Sequence, residues 1–149
     1  MKPEINKTLQ TLAQELIQRF SPLLEDEYEQ SRLNSWGTLL LLASMDLDEA
    51  VENLIDENNM IKDFLEKYLK NVKDKKLIQD INLLIRQKNY KYNMPSLDKL
   101  NQRYRGLLVR AQTHFETEHN LVALKDSWKI LRVMHGHRKV SHLLTLLRE

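Results

Sequence analysis

Between Leu47 and Val72 the residues Leu47, Val51, Leu54, Asn58, Ile61, Leu65, Tyr68 and Val72 fall at alternating steps of four and three. That is the a/d repeat of a long packed helix, and a strand, whose side chains alternate with period two, cannot present it on one face. One position in the stripe, Asn58, is polar. The neighbouring stripe of Leu47, Ala50, Leu54, Glu57, Ile61, Phe64 and Tyr68 is interrupted at the same level by Glu57. One turn therefore carries a carboxylate and an amide into a surface otherwise suited to a core. A lone Asn at an a position commonly fixes register and partner choice, and a ligand site is the sharper alternative. A desolvated Glu57 needs Arg, Lys or His beside it, because an unpaired buried carboxylate is costly. Arg103, Arg110 and His114 are the candidates.

Three-four spacing recurs along most of the chain, and with three Gly, three Pro and almost no period-two alternation there is little material for strands. The expected fold is all-α: an antiparallel helical bundle of four long helices plus one or two shorter ones, one domain over residues 1–149, with more than about two-thirds of it helical. Ile5, Leu9, Leu12, Leu16 and Phe20 form the first stripe, closed by Ser21-Pro22, a natural cap and first residue for a second helix. That helix runs to about Ser44, and its apolar run Leu39–Ala43 is expected to be fully buried. Asp46 with Glu49 has the spacing of a capping box and predicts a third helix after a short turn, so that helices two and three form an antiparallel hairpin.

A shorter helix with Leu77, Ile78, Ile81, Leu84 and Ile85 on one side follows, then a loop over Asn89–Pro95. Leu97, Leu100, Tyr104, Leu107, Ala111, His114 and Glu118 step along a fifth helix, with a break expected near Glu118–Leu121; no Gly or Pro enforces it, so a single helix over residues 97–134 is the alternative. Leu121, Leu124, Trp128 and Leu131 carry the next stripe, and Gly136 ends or kinks it before Val140, Leu143, Leu144 and Leu147.

With 42% hydrophobic and 30% charged residues the composition is that of a globular protein, and the longest apolar run is far too short to span a bilayer. The N-terminus lacks the pattern of a secretory signal and there is no cysteine, so a cytoplasmic location is expected. The net charge of +2 conceals an asymmetry: residues 1–75 hold 9 Lys+Arg against 15 Asp+Glu, and residues 76–149 hold 14 against 6. Either helices of the two halves lie side by side with complementary flanks, or an acidic and a basic face are aimed at different partners.

Bundles build dinuclear metal sites from two Glu-x-x-His pairs and two further Glu residues. Here Glu116-Thr117-Glu118-His119 supplies one such pair, so the expectation is a polar cluster of Glu57, Asn58, His114 and Glu118, with no metal or cofactor assigned. The segment His135-Gly136-His137-Arg138-Lys139-Val140-Ser141-His142 is a candidate anion patch, in which His135, Arg138, Lys139 and His142 would act. A basic stripe with interleaved aromatics or a helix-turn-helix is lacking, which argues against nucleic acid as a partner. Phosphate loops, nucleophile elbows and His-Glu-x-x-His are also missing, which argues against an enzyme. The expected function is protein–protein interaction or assembly, a homodimer being one form of it. The alternative is a small-molecule or metal-binding bundle with its site at Glu57, Asn58, His114 and Glu118.

Overall fold

The computed structural model describes residues 4–87 and 91–139, and 87% of them are helical, with no strand among them. The all-α expectation holds. Among the described residues the α-helices are α1 (Ile5–Gln14), α2 (Glu27–Tyr68), α3 (Lys75–Ile85), α4 (Met94–Thr117) and α5 (Leu121–His137). A π-helical turn over Glu15–Phe20 and a 3-10 turn over Ser21–Leu23 lie between α1 and α2, and a second 3-10 turn, Leu69–Asn71, follows α2.

The expected turn at Ser44–Asp46 does not form, and the hairpin of helices two and three is replaced by one helix of 42 residues. Nothing in the sequence puts the hydrophobic repeat out of phase there: Leu33, Leu40, Leu47, Leu54, Ile61 and Tyr68 recur every seven residues straight through. The Ser44 hydroxyl donates back to the Leu41 carbonyl at 2.7 Å, within the helix. The helix also starts later than Pro22, at a cap made by Asp26, whose Oδ1 accepts from the Tyr28 and Glu29 amides at 2.8 and 3.2 Å. Nor is the run Leu39–Ala43 buried, since Leu39 is 62% exposed and Ala43 is also exposed.

The chain divides into two compact units, and the division falls inside α2 between Ala50 and Val51. In the N-terminal unit, α1, its following turns and the first half of α2 bury small residues: Ala13, Ser21, Gly37 and Ser44. A Cβ at Gly37 would overlap the Ile17 side chain and stand 3.1 Å from the Ala13 carbonyl, so these segments approach as closely as only glycine permits. Ser21 and Gln30 close the corner with reciprocal hydrogen bonds, each side chain to the other's carbonyl at 3.3 Å.

The C-terminal unit packs the second half of α2 with α3, α4 and α5 around one core of large side chains. Phe115 lies at its centre, with its ring 6.1 Å from Phe64 and 5.7 Å from Tyr68 in edge-on geometry. Asp74, Asn93 and Asn120 cap α3, α4 and α5 through their side chains. The question over residues 97–134 resolves as two helices: His119 adopts a φ of 53°, and Asn120 Oδ1 then accepts from the Ala123 amide at 3.1 Å. Helix α5 buries Ala123, Leu124, Ser127, Ile130 and Met134, whereas Leu121, Trp128 and Leu131 of the expected stripe stay exposed. The small side chains Ala123 and Ser127 form this inner face, with Gln112 Nε2 of α4 donating to Ser127 Oγ at 2.9 Å.

A candidate polar clamp at Glu57

Glu57 and Asn58 are both buried, Glu57 to 2% exposure. The carboxylate does find a cation, but none of the three expected. Arg138 Nη1 donates to Oε1 and Nη2 to Oε2, each at 2.8 Å, in the two-pronged geometry that matches guanidinium to carboxylate. Asn101 Nδ2 donates to Oε2 at 3.0 Å, and His137 Nδ1 lies 3.3 Å from Oε1. Of the expected partners, Arg103 donates to Gln87 Oε1 and Arg110 pairs with Asp80, both at 2.6 Å, while His114 Nε2 accepts from the Lys73 amide at 3.1 Å.

Each member is placed by its helix. Arg138 is the C-terminal cap residue of α5, where positive charge complements the helix dipole, and its Nη1 also donates to the Met134 carbonyl at 2.7 Å. One guanidinium thus closes a helix end and neutralises a carboxylate on α2. Asn101 sits on α4 within a stripe of Leu97, Asn101, Tyr104, Leu108, Ala111 and Phe115, all buried. The same helix supplies the Leu97 carbonyl, to which Asn58 Nδ2 donates at 3.3 Å, while Asn58 Oδ1 is buried without a partner. Three helices are tied through one carboxylate.

The expected cluster of Glu57, Asn58, His114 and Glu118 therefore splits. His114 is thirteen residues beyond Asn101 on α4, roughly 20 Å along the axis, and it belongs with Lys73, whose ammonium also pairs with Glu118. That ammonium holds the Glu118 carboxyl below its ordinary range. A similar surface node forms at Asp126, which Lys129, Lys67 and the Tyr68 hydroxyl hold well below the usual carboxylate range. The Glu-x-x-His pair is not on one helix face either, because α4 ends at Thr117 and His119 takes the left-handed turn. Among the described residues no group of three or more His, Asp or Glu is placed to hold a metal ion.

The candidate anion patch is divided as well. Arg138 is committed to Glu57, His135 and Lys139 are exposed, and His142 lies outside the described residues. The two residues that sequence reasoning missed here are Asn101 and His137. Both oxygens of Glu57 are occupied by side chains of the chain itself, so the cluster is built to hold helices together. Compared with known proteins, the chain matches no family model, no curated protein and no solved structure.

Proposed function

We propose that this is a non-catalytic interaction protein that docks a partner helix on its N-terminal unit. The observation behind this reading is an exposed aromatic ladder on α2. Tyr28, Trp36 and Leu39 are 70%, 51% and 62% exposed, and their spacing puts them on one side of the helix. Arg32 stands between the rings, its guanidinium 5.9 Å from the centre of Tyr28 and 5.4 Å from that of Trp36. It is further held by Glu29 at 3.0 Å. Trp, Tyr and Arg are the residue types that carry most binding energy in protein interfaces, and here they are ordered before any partner arrives.

Against the alternative of a small-molecule or metal site at Glu57 stands the pairing of both its oxygens with Arg138 and Asn101, and of His114 and Glu118 with Lys73. No helix among the described residues is long and apolar enough to cross a membrane. A photo-crosslinking amino acid placed at Trp36 in living cells tests the proposal. The expected result is one discrete adduct of defined mass, absent when the same group replaces Gln102 on the exposed side of α4. Equal, diffuse labelling at both positions would remove the proposal.

A further inference from the structure

A glycine in the interior of a helix weakens it relative to alanine, and close approach of another segment is the usual reason to find one there. Gly37 has that reason, because a Cβ would overlap Ile17. Gly106, in the middle of α4, does not: a Cβ there would meet nothing within 4 Å. Beside it lies a cavity of about 350 Å³, lined by Asp80, Leu83 and Leu84 of α3 and by Arg103, Leu107 and Arg110 of α4. That volume is within the range of small-molecule pockets, about 300–1,000 Å³.

The cavity is framed at both ends. Arg103 Nη1 donates to Gln87 Oε1, just past the end of α3, and Arg110 Nη1 donates to Asp80 Oδ2, each at 2.6 Å. The bridged residues are seven apart on both sides, roughly 10 Å of helix rise, and the middle of the span holds Gly106 and Leu107 opposite Leu83 and Leu84. Leu84 and Leu107 are buried and make the floor, whereas Leu83 is 69% exposed and makes an apolar rim. The two bridges differ in charge. Asp80 neutralises Arg110, but Gln87 is a neutral amide, which orients Arg103 without cancelling its charge. One end of an apolar slot thus presents a fixed guanidinium, whose forked N–H groups match a carboxylate.

We infer that the slot between α3 and α4 binds a small organic monoanion, with its carboxylate on Arg103 and its apolar body over Gly106 against Leu83, Leu84 and Leu107. Two arginines against one aspartate leave the lining with a net charge of +1, and Asp80 would repel a second anionic group at the far end. Any side chain at position 106 would project into the space that the apolar body needs, which gives the glycine its use. The slot lies wholly within the C-terminal unit, so its occupancy is independent of what docks on α2 and of the clamp at Glu57.

Titration of the whole chain, followed by nuclear magnetic resonance of its backbone amides, tests the inference. Two carboxylates serve as probes, octanoate and 3-phenylpropanoate, with octanamide lacking the charge and acetate lacking the apolar body. At least one of the two carboxylates is expected to bind saturably with a Kd at or below about 1 mM, shifting amides around Leu83 and Gly106, and the two controls should bind at least about tenfold more weakly. Gly106→Leu fills the slot and should weaken that carboxylate by about tenfold or more, with circular dichroism showing an unchanged helical fold. Arg103→Gln should weaken it by a similar factor while leaving octanamide unchanged, which separates loss of the charge from loss of the slot. Arg105→Gln, exposed on the same helix but outside the lining, should bind within about twofold of wild type. Failure of both carboxylates to bind saturably overturns the inference. Binding that survives Gly106→Leu overturns it as well, because the probe then sits elsewhere. Octanamide binding as tightly as octanoate, or equal losses from Arg105→Gln and Arg103→Gln, would strip Arg103 of its role and overturn it too.

Discussion

The N-terminal and C-terminal units draw on similar hydrophobic stripes and bury opposite kinds of side chain. The first buries Ala13, Ser21, Gly37 and Ser44 and leaves Leu12, Leu23, Tyr28, Trp36 and Leu39 exposed. The second buries Phe64, Leu65, Tyr68, Leu108 and Phe115 from helices that meet on several sides. Burial of apolar area stabilises in proportion to the area removed from water, so small residues contribute little to it and the large ones dominate. A hydrophobic stripe gives a helix a side to bury; whether large residues on it reach a core depends on how many neighbours the fold supplies.

The largest expected effect contrasts the two units directly. Phe115→Ala should cost about 3–5 kcal/mol, because it removes the ring around which Phe64 and Tyr68 pack. Trp36→Ala removes a larger ring but should cost only about 1 kcal/mol, since that ring is half in solvent and its stacking on Arg32 is exposed. Chemical denaturation of the two variants measures both. Comparable losses would mean that the N-terminal unit hides a core around Trp36, and the contrast between the units would fail.

The second effect tests what holds the C-terminal unit at the level of Glu57. Arg138→Ala leaves a buried carboxylate with only Asn101 and His137 beside it, but the guanidinium is itself 46% exposed and water can take its place, so the cost should be about 2 kcal/mol, below that of a fully buried pair. Glu57→Gln keeps the shape and an acceptor oxygen while removing the charge, so its cost should be nearer 1 kcal/mol. If Arg138→Ala costs no more than an exposed ion pair, about 0.5 kcal/mol, the guanidinium is a surface group and the clamp is not one.

The sequence carried more of this than a local reading of it extracts. The helical class, the burial of Glu57 and Asn58 and the α3 face of Leu77, Ile81 and Leu84 all follow from spacing, which is a local property. The capping-box pattern at Asp46 and Glu49 misled because acids three apart are common on exposed helix surfaces, whereas the seven-residue repeat from Leu33 to Tyr68 pointed to an unbroken helix. Asn101 was legible as a second lone Asn in an apolar stripe. The partner of Glu57 was not: Arg138 lies 81 residues away, and its reach depends on where α5 ends. On α5, Leu124 is buried as its spacing implies, but Trp128 and Leu131 yield to Ser127 and Ile130 one position earlier, because hydropathy ranks Trp above Ser while close packing against α4 favours the small residue.

Asn58→Leu should be stabilising. The amide makes one long hydrogen bond to the Leu97 carbonyl at 3.3 Å, and its Oδ1 is buried with no partner, so folding strips it of water without full compensation. An apolar side chain at this a position should raise stability by about 1–2 kcal/mol. Thermal melting would show the gain. A loss instead would mean that the Leu97 bond fixes the register of α2 against α4, and circular dichroism with solution mass would then reveal an altered assembly.

The smallest effect is also the most direct comparison of packing between the units, because the same substitution should change sign. Gly106 sits in the interior of α4, where a Cβ would meet nothing within 4 Å. Ala there restricts the unfolded chain and improves helix propensity, so Gly106→Ala should stabilise by about 0.5–1 kcal/mol. Gly37 is equally interior to α2 and would gain the same propensity, but its new Cβ would overlap Ile17 and crowd the Ala13 carbonyl. Inserting a methyl group into a close contact costs about 1–3 kcal/mol, which exceeds the gain, so Gly37→Ala should destabilise by about 1 kcal/mol net. Both shifts are within reach of denaturant titration on otherwise identical proteins. If Gly37→Ala stabilises as Gly106→Ala does, then α1 and its π-helical turn do not press on α2, and the N-terminal unit is held by something other than its small residues.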